Sequence, residues 1–434
     1  MRIDASSLAA ALHGELVGPD VVLDGLSIDS RSVADGQLFA AVQGERDGHD
    51  FAAAALAGGA GAVLVERVVE PGPSIVVESV ATALPALAGF VRDRMPDRVI
   101  GVTGSVGKTT TKDLLASVLG QHFVTAASER SFNNELGVPL TLANAPDDVE
   151  AVVVEMGARG AGHITTLCDM ARPTVGVVTT VEGVHTEVMG DLEQIARTKG
   201  ELIEALPSDG LAVLNAEVAL VAAMAARSAA PVLRFGEGGD VRASGVEVDA
   251  ELRPSFRLES PWGSAQVRLG IRGVHNVANA LAAATAALGL GVPLERVVAG
   301  LESSGSSPWR MDLQRASSGL LVLNDAYNAG PASMAAALRS LVSLPVTRRV
   351  AVVGVMAELG DTAPAEHARI ASLAESLEVH LVPVATELYG VAPVPDTDEV
   401  LATLGGLGLG DGDVVLVKGS RVAGLEVVAE ALLV

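Results

Sequence analysis

The sequence predicts an α/β protein of three domains: a small α/β N-terminal module, a central parallel-sheet domain with a small antiparallel flank, and a C-terminal Rossmann-like, doubly wound domain. Three observations point there. The chain has 434 residues, more than one hydrophobic core usually organises. Its composition is 49% hydrophobic but only 3% aromatic, and its wealth of Ala, Val, Leu and Gly suits buried parallel strands under Ala-rich helices. A strand–loop–helix order also recurs in two separate stretches.

Residues 1–95 alternate short apolar segments, "GLSIDS", "QLFAAV" and "GAVLVE", with Gly- and Asp-rich turns, and close on an amphipathic helix near 81–95. Residues 96–304 carry strands at "VIGVT", "EAVVVE" and "TVGVVTTV", each followed by helical spacing, so a parallel sheet with crossover helices is expected. Within this region, 241–272 alternate polar and apolar residues as antiparallel strands do. The stretch "ESSGSSP", 302–308, reads as a linker. In 305–434, strands "GLLVLND", "RRVAVVG", "VHLVPVA" and "DVVLVKGS" alternate with four helical patterns, which makes a second doubly wound unit.

A formal charge of −23 argues against nucleic acid as a partner, because binding a phosphodiester backbone needs a basic surface. Cys168 is the only cysteine, which excludes an internal disulfide and a thiolate zinc cluster and suits a reducing compartment. The N-terminal stretch carries Asp4, His13 and Glu15, unlike a signal peptide. No uninterrupted apolar run reaches the roughly 18 residues a spanning helix requires. A soluble, cytoplasmic protein without a membrane span is expected.

Chemistry concentrates in "VTGSVGKTTTKD", 102–113, where a strand meets a helix through a Gly-rich turn. Such a turn aims backbone N–H groups and a helix dipole at phosphate oxygens. Lys108 would reach the β- and γ-phosphates and Thr109 would ligate magnesium, making the central unit a P-loop domain. The common spacing G-x-x-x-x-G-K-[ST] is broken, since Val102 holds the first glycine position and Gly101 lies one residue early; an ordinary Gly-rich βα turn is the alternative. Leu114, Leu115, Val118 and Leu119 mark a buried helix face behind the loop. Glu155 ends the strand "EAVVVE" and His185 lies beyond "TVGVVTTV", both at the sheet edge where doubly wound folds place ligands. Glu155 is a candidate magnesium ligand. A lone His such as His185 is more often structural or solvated, and spacing alone gives Lys199 no role.

Together these motifs resemble the ATP-dependent Mur ligases, whose phosphate loop reads G-[IV]-T-G-[ST]-x-G-K-T-[TS], with a residue like Val102 in place of the glycine. The resemblance runs through "DSRSVADGQLFAAVQGERDGHDF", "FNNELGVPLTL", "VEMGARGAGHI", "KGELIEAL", "GVHNVANALAA", "NDAYNAGPASM", "GVMAELG" and "VLVKGSR", in family order. Within the family it favours the branch that adds D-alanyl-D-alanine to UDP-N-acetylmuramoyl-tripeptide through an acyl phosphate. The resemblance implies ATP on Thr103, Gly104, Ser105, Val106, Gly107, Lys108, Thr109 and Thr110, with Asn276 and Asn279 lining the nucleotide and Arg310 and Asp325 closing onto it. It implies two magnesium ions held by Thr109, Glu155, His185 and a carbamylated Lys199. Lys108, Glu155, His185, Lys199 and Arg310 form the implied catalytic set. Ser30, Arg31, Gly44, Asp47, His49, Asn133 and Asn134 would face the UDP-sugar, and Asn328 and Lys418 the substrate side of the third domain. A monomer is expected.

Three positions depart from the family. Trp309 stands where a small residue precedes the arginine, Thr180 where Asn is common, and Val184 where a small residue precedes His185. Other readings make different predictions. A ligase adding the third stem residue would carry a "DNPR"-like motif, which is absent. A P-loop switch ATPase would leave "DGHDF" and "KGSR" unexplained. A catalytically silent homologue would have only Trp309 in its favour.

Overall fold

The computed structural model describes residues 2–183 and 191–434. His185 and Val184 therefore lie outside the described residues. In the N-terminal part, β1 (Arg2–Asp4) pairs antiparallel with β3 (Val22–Asp24). Beside them a five-stranded sheet has the order β2 (Glu15–Val17), β7 (Ser74–Val76), β6 (Ala62–Val65), β5 (Leu38–Ala40), β4 (Leu26–Ser27). Helices α1 (Ala5–Ala11), α2 (Ala52–Ala57) and α3 (Val80–Arg92) cover it.

The central sheet has six strands, all parallel, in the order β13 (Val232–Phe235), β12 (Leu211–Asn215), β11 (Val175–Val178), β8 (Val99–Thr103), β10 (Ala151–Glu155), β9 (Thr125–Ala127). Every residue of β8 is buried, as both faces of such a sheet require. On one face lie α4 (Lys108–Leu119), α8 (Asn276–Gly289) and α9 (Leu294–Ser303); α5 (Gly137–Ala143), α6 (His163–Ala171) and α7 (Leu192–Glu204) lie between the strands they join. Leu114, Leu115, Val118 and Leu119 are at most 1% exposed. Burying each contributes about 1.5–3 kcal/mol, which anchors α4 and the turn that opens it. The antiparallel flank is β14 (Arg242–Val248), β15 (Pro254–Ser260) and β16 (Gly263–Arg268).

Helix α9 continues to Ser303, so the linker starts two residues later than its composition suggests. Beyond it the sheet order is β17 (Asp312–Arg315), β18 (Leu321–Asn324), β21 (Asp413–Lys418), β19 (Arg348–Val353), β20 (His380–Pro383). The edge strand β17 is antiparallel and the others parallel. Strand β17 is the fifth strand that the alternation of four strands and helices does not reveal, because "DLQR" is short, polar and half exposed. Helices α10 (Pro331–Val342), α11 (Ala363–Ser376), α12 (Thr397–Gly406) and α13 (Glu426–Leu433) complete the unit.

Candidate active site

Strand β8 lies between β11 and β10, so its carboxyl end opens where the ends of its two neighbours can reach it. The turn leaving β8 holds Gly104 at φ +147° and Gly107 at φ +85°, backbone states that cost other residues about 1–2 kcal/mol. A Cβ on Gly107 would also run into the amide oxygen of Asn279. Gly107→Ala is therefore expected to weaken ADP binding about tenfold or more, read by calorimetry; unchanged affinity would contradict this geometry.

The turn is held from the β11 side. Ser105 N–H donates to Thr180 O at 2.9 Å, Ser105 Oγ donates to Glu182 O at 3.0 Å, and Thr179 Oγ1 donates to Val106 O at 2.6 Å. Thr180 Oγ1 accepts the Val106 N–H at 3.0 Å, so the threonine in place of the family's Asn still supplies an acceptor to the loop. Thr103 Oγ1 is turned to Met156 O at 2.8 Å. Lys108 bends back over the turn and donates to Gly104 O at 2.8 Å and Ser105 O at 3.2 Å, carbonyls that a phosphate would displace. Burial holds its ammonium below the usual lysine value; Glu155 opposes that shift and Arg310 adds to it.

Glu155, 1% exposed, ends β10. Its Oε1 accepts from Asn133 Nδ2 at 2.8 Å, while Oε2 is buried without a hydrogen-bond partner. An orphaned carboxylate oxygen is costly unless a cation or donor meets it. Lys199, 2% exposed, lies on α7, whose start is fixed by the Asp191 side chain accepting from Gln194 N–H at 2.8 Å. Burial first, and the charge of Lys108 second, hold its amine well below the ordinary lysine value. Lys108, Glu155 and Lys199 thus share one electrostatic environment. Among the described residues no three His, Cys, Asp or Glu side chains cluster around a point.

On the α8 side, Asn279 accepts from Thr111 Oγ1 at 3.2 Å and donates to Asn276 Oδ1 at 2.8 Å. Thr110, Asp113, Asn276, Ser307 and Arg310 line one crevice between α4, α8 and the linker. The Arg310 guanidinium lies 4.2 Å over the Tyr327 ring, and its buried Nε has no partner. Asp325 accepts from Met311 N–H at 3.1 Å and pairs with Lys418 Nζ at 2.5 Å. Trp309 adopts φ +59°, the left-handed state that a glycine would take without strain, and its ring stacks on Arg421, 4.5 Å away. The large side chain is thereby drawn to the third domain's own surface.

Several residues expected to face substrate also hold contacts within the chain. Lys418, 2% exposed, donates to Asp325 Oδ2 and Asn328 O, so it braces the "NDAYN" turn. Asn328 Oδ1 accepts from Ala329 N–H at 2.9 Å. Asn134 Oδ1 accepts from Leu136 and Gly137 N–H at the entry to α5. Both ring nitrogens of His49 are occupied, Nδ1 by Asp47 at 2.6 Å and Nε2 by Glu66 N–H at 2.8 Å. Arg67 takes the other oxygen of Asp47 at 3.0 Å. These residues shape the 44–51 segment from inside. Arg31 is exposed but folds onto Asp29 at 2.6 Å, holding that carboxyl at about 2. Ser30 is half-buried beside it, and Gly44 N–H closes onto Arg46 O at 3.1 Å. Spacing missed Tyr327, whose hydroxyl meets Ser131 Oγ across the cleft, and Glu182, whose Oε2 is buried without a partner; neither belongs to a local pattern.

Comparison with known proteins gives three consecutive matches. Residues 22–99 match the Mur ligase family catalytic domain, 102–287 the Mur ligase middle domain, and 309–421 the Mur ligase glutamate ligase domain. The UDP-N-acetylmuramoyl-tripeptide--D-alanyl-D-alanine ligase of Mycobacterium tuberculosis is 41% identical over 468 residues, covering 94% of this chain and 91% of the relative. Among solved structures, MurF from Acinetobacter baumannii superposes with TM-score 0.90 at 32% identity, covering 100% of this chain and 99% of that one. MurF from Thermotoga maritima in complex with ADP gives 0.82 at 30% identity, covering 94% and 96%.

Proposed function

The chain belongs to the Mur ligase family, and on that footing we propose that it joins D-alanyl-D-alanine to the terminal carboxylate of UDP-N-acetylmuramoyl-tripeptide. ATP is cleaved to ADP and phosphate, and the product is the UDP-linked pentapeptide of peptidoglycan synthesis. The observation that carries this reading is the phosphate turn ending in Lys108 beside the half-satisfied carboxylate of Glu155, in a chain 41% identical to a relative bearing that activity's name.

A carboxylate is a poor electrophile, so amide formation needs a better leaving group. In the first step a carboxylate oxygen of the tripeptide attacks the γ-phosphorus, the bond to the bridging oxygen breaks, and ADP leaves with that electron pair. Lys108 moves from its loop carbonyls to the phosphate oxygens and stabilises the charge developing there. Arg310 approaches the same charge from the third domain. In the second step the free amine of D-alanyl-D-alanine attacks the acyl carbon, the tetrahedral adduct expels phosphate, and the nitrogen loses its proton. The chain supplies positioning and electrostatics rather than a nucleophile.

The orphaned Oε2 of Glu155 suits a divalent cation. Thr109, Glu155, His185 and Lys199 would hold magnesium, in two ions, and magnesium would supply neutralisation of the phosphate charge. Burial favours the neutral form of the Lys199 amine, the form that takes up carbon dioxide, and the resulting carbamate is an anionic oxygen donor, whereas an ammonium would repel the metal. Residues 1–95 are assigned to the UDP-sugar, 96–304 to ATP and 305–434 to the dipeptide. No helix among the described residues is long and apolar enough to cross a membrane, and a cytoplasmic monomer is the matching proposal.

Phosphate release tests the reading. It should require UDP-N-acetylmuramoyl-tripeptide and D-alanyl-D-alanine together with ATP; equal release without them would replace a ligase by an uncoupled ATPase.

A further inference from the structure

The stretch that contains the phosphate loop ends in Lys112 and Asp113, which the chemistry above does not use. Lys112 is 3% exposed, and a charge so deeply placed persists only when paired and hydrogen-bonded. Its Nζ donates to Ser128 O at 2.7 Å and Arg130 O at 3.1 Å and lies 2.6 Å from the Asp113 carboxylate, which occupies its three protons. The other Asp113 oxygen accepts from Ser307 Oγ in the linker. One ion pair, buried on its lysine side, thus joins the phosphate-loop helix, the 128–134 segment and the approach to Arg310.

That segment controls Glu155. Ser128 Oγ accepts the Glu155 N–H at 3.1 Å, and Asn133 holds Glu155 Oε1. Within it Arg130 takes φ +49°, a state that costs an ordinary residue about 1–3 kcal/mol and lasts only where its surroundings impose it. The Arg130 carbonyl is one of the two that Lys112 grips. Next to it Ser131 meets Tyr327, the residue beneath Arg310. Lys112 follows Lys108 by four positions, one turn along the same helix face.

We propose that Lys112 is a positioning residue that carries occupancy of the phosphate loop to the 128–134 segment, so that nucleotide binding orders the side of the site that receives the peptide carboxylate. This rests on the ligase reading above. When phosphate draws Lys108 off the Gly104 and Ser105 carbonyls, α4 moves as a rigid element, and Lys112 shifts the balance of the strained turn at Arg130.

Hydrogen exchange of the full chain with and without magnesium-ADP tests this, with ADP binding measured by calorimetry on the same samples. ADP is expected to slow exchange at 129–134 about fivefold or more, a coupling of ordinary size. Bound ADP with unchanged exchange there overturns the inference and leaves the ligase reading standing. Failure to bind ADP overturns the ligase reading itself. Lys112→Met should abolish the protection and raise KM for the UDP-tripeptide about tenfold, with KM for ATP moved less than about twofold. Lys112→Arg should restore part of both. Equal changes in the two KM values, or protection that survives in Lys112→Met, overturn the positioning role.

Discussion

Lys108→Met is expected to lower kcat/KM about a thousandfold, the scale on which removal of one preorganised charge from a developing oxyanion operates. Methionine keeps the unbranched apolar stem of the side chain, one atom shorter, without the charge. Its loss should therefore appear in rate rather than in folding. The ammonium donates to Gly104 O and Ser105 O, neutral carbonyls of its own turn, so no folded-state contact depends on its charge to the extent that the transition state does. The thermal midpoint should stay close to that of the parent while turnover collapses. Activity within tenfold of the parent would mean that the γ-phosphate is stabilised elsewhere.

Lys199 should make activity depend on carbon dioxide. Its amine is held well below the ordinary lysine value by burial first, which favours the neutral form. It can attack carbon dioxide, forming an N–C bond and releasing one proton. The sign of the pH effect follows: as pH falls through the depressed value the amine is protonated and carbamate is lost, so activity declines on acidification and bicarbonate offsets the decline. Lys199→Ala should cost about a hundredfold or more, at or beyond the upper end of what a lost metal-supporting group costs. Carbon-13 bicarbonate should give a carbamate resonance in the parent and none in the variant. Full activity in carbonate-depleted buffer, or in Lys199→Ala, would remove the carbamate from the account.

In carbonate-depleted buffer, where the amine is unmodified, linkage gives Lys199 a stability signature. Between its depressed value and the ordinary lysine value near 10.4, the unfolded chain binds a proton that the folded chain does not. Stability attributable to Lys199 therefore rises with pH across that window and is lost as pH falls through it.

What could be read from the sequence was local. The strand–turn–helix at 99–119 shows in consecutive residues because backbone conformation, helix start and apolar face all lie within a few turns of chain. Glu155 was legible because the end of an apolar strand predicts a sheet edge. The edge strands β9 and β17 were not, since each is three or four residues long and none of their residues is fully buried. Residue type also does not reveal partners that are distant in sequence. Lys418, His49 and Asn134 are expected to face substrate, and the fold also pairs them with Asp325, with Asp47 and Glu66, and with the start of α5. Trp309 looked like an obstruction until its left-handed backbone and its stacking on Arg421 gave it a place. Lys112 gave no signal, because an ammonium buried against two carbonyls of another segment has the same spacing as a solvated one.

Transfer of oxygen-18 tests the central claim most directly. UDP-N-acetylmuramoyl-tripeptide labelled in its terminal carboxylate should be turned over with unlabelled ATP and D-alanyl-D-alanine, and the released phosphate examined by mass. An acyl phosphate predicts one labelled oxygen in each phosphate, because the carboxylate oxygen that attacked phosphorus leaves with it. Phosphate with no label would show that water, not the peptide carboxylate, receives the γ-phosphoryl group, and would contradict the ligase chemistry assigned to this site.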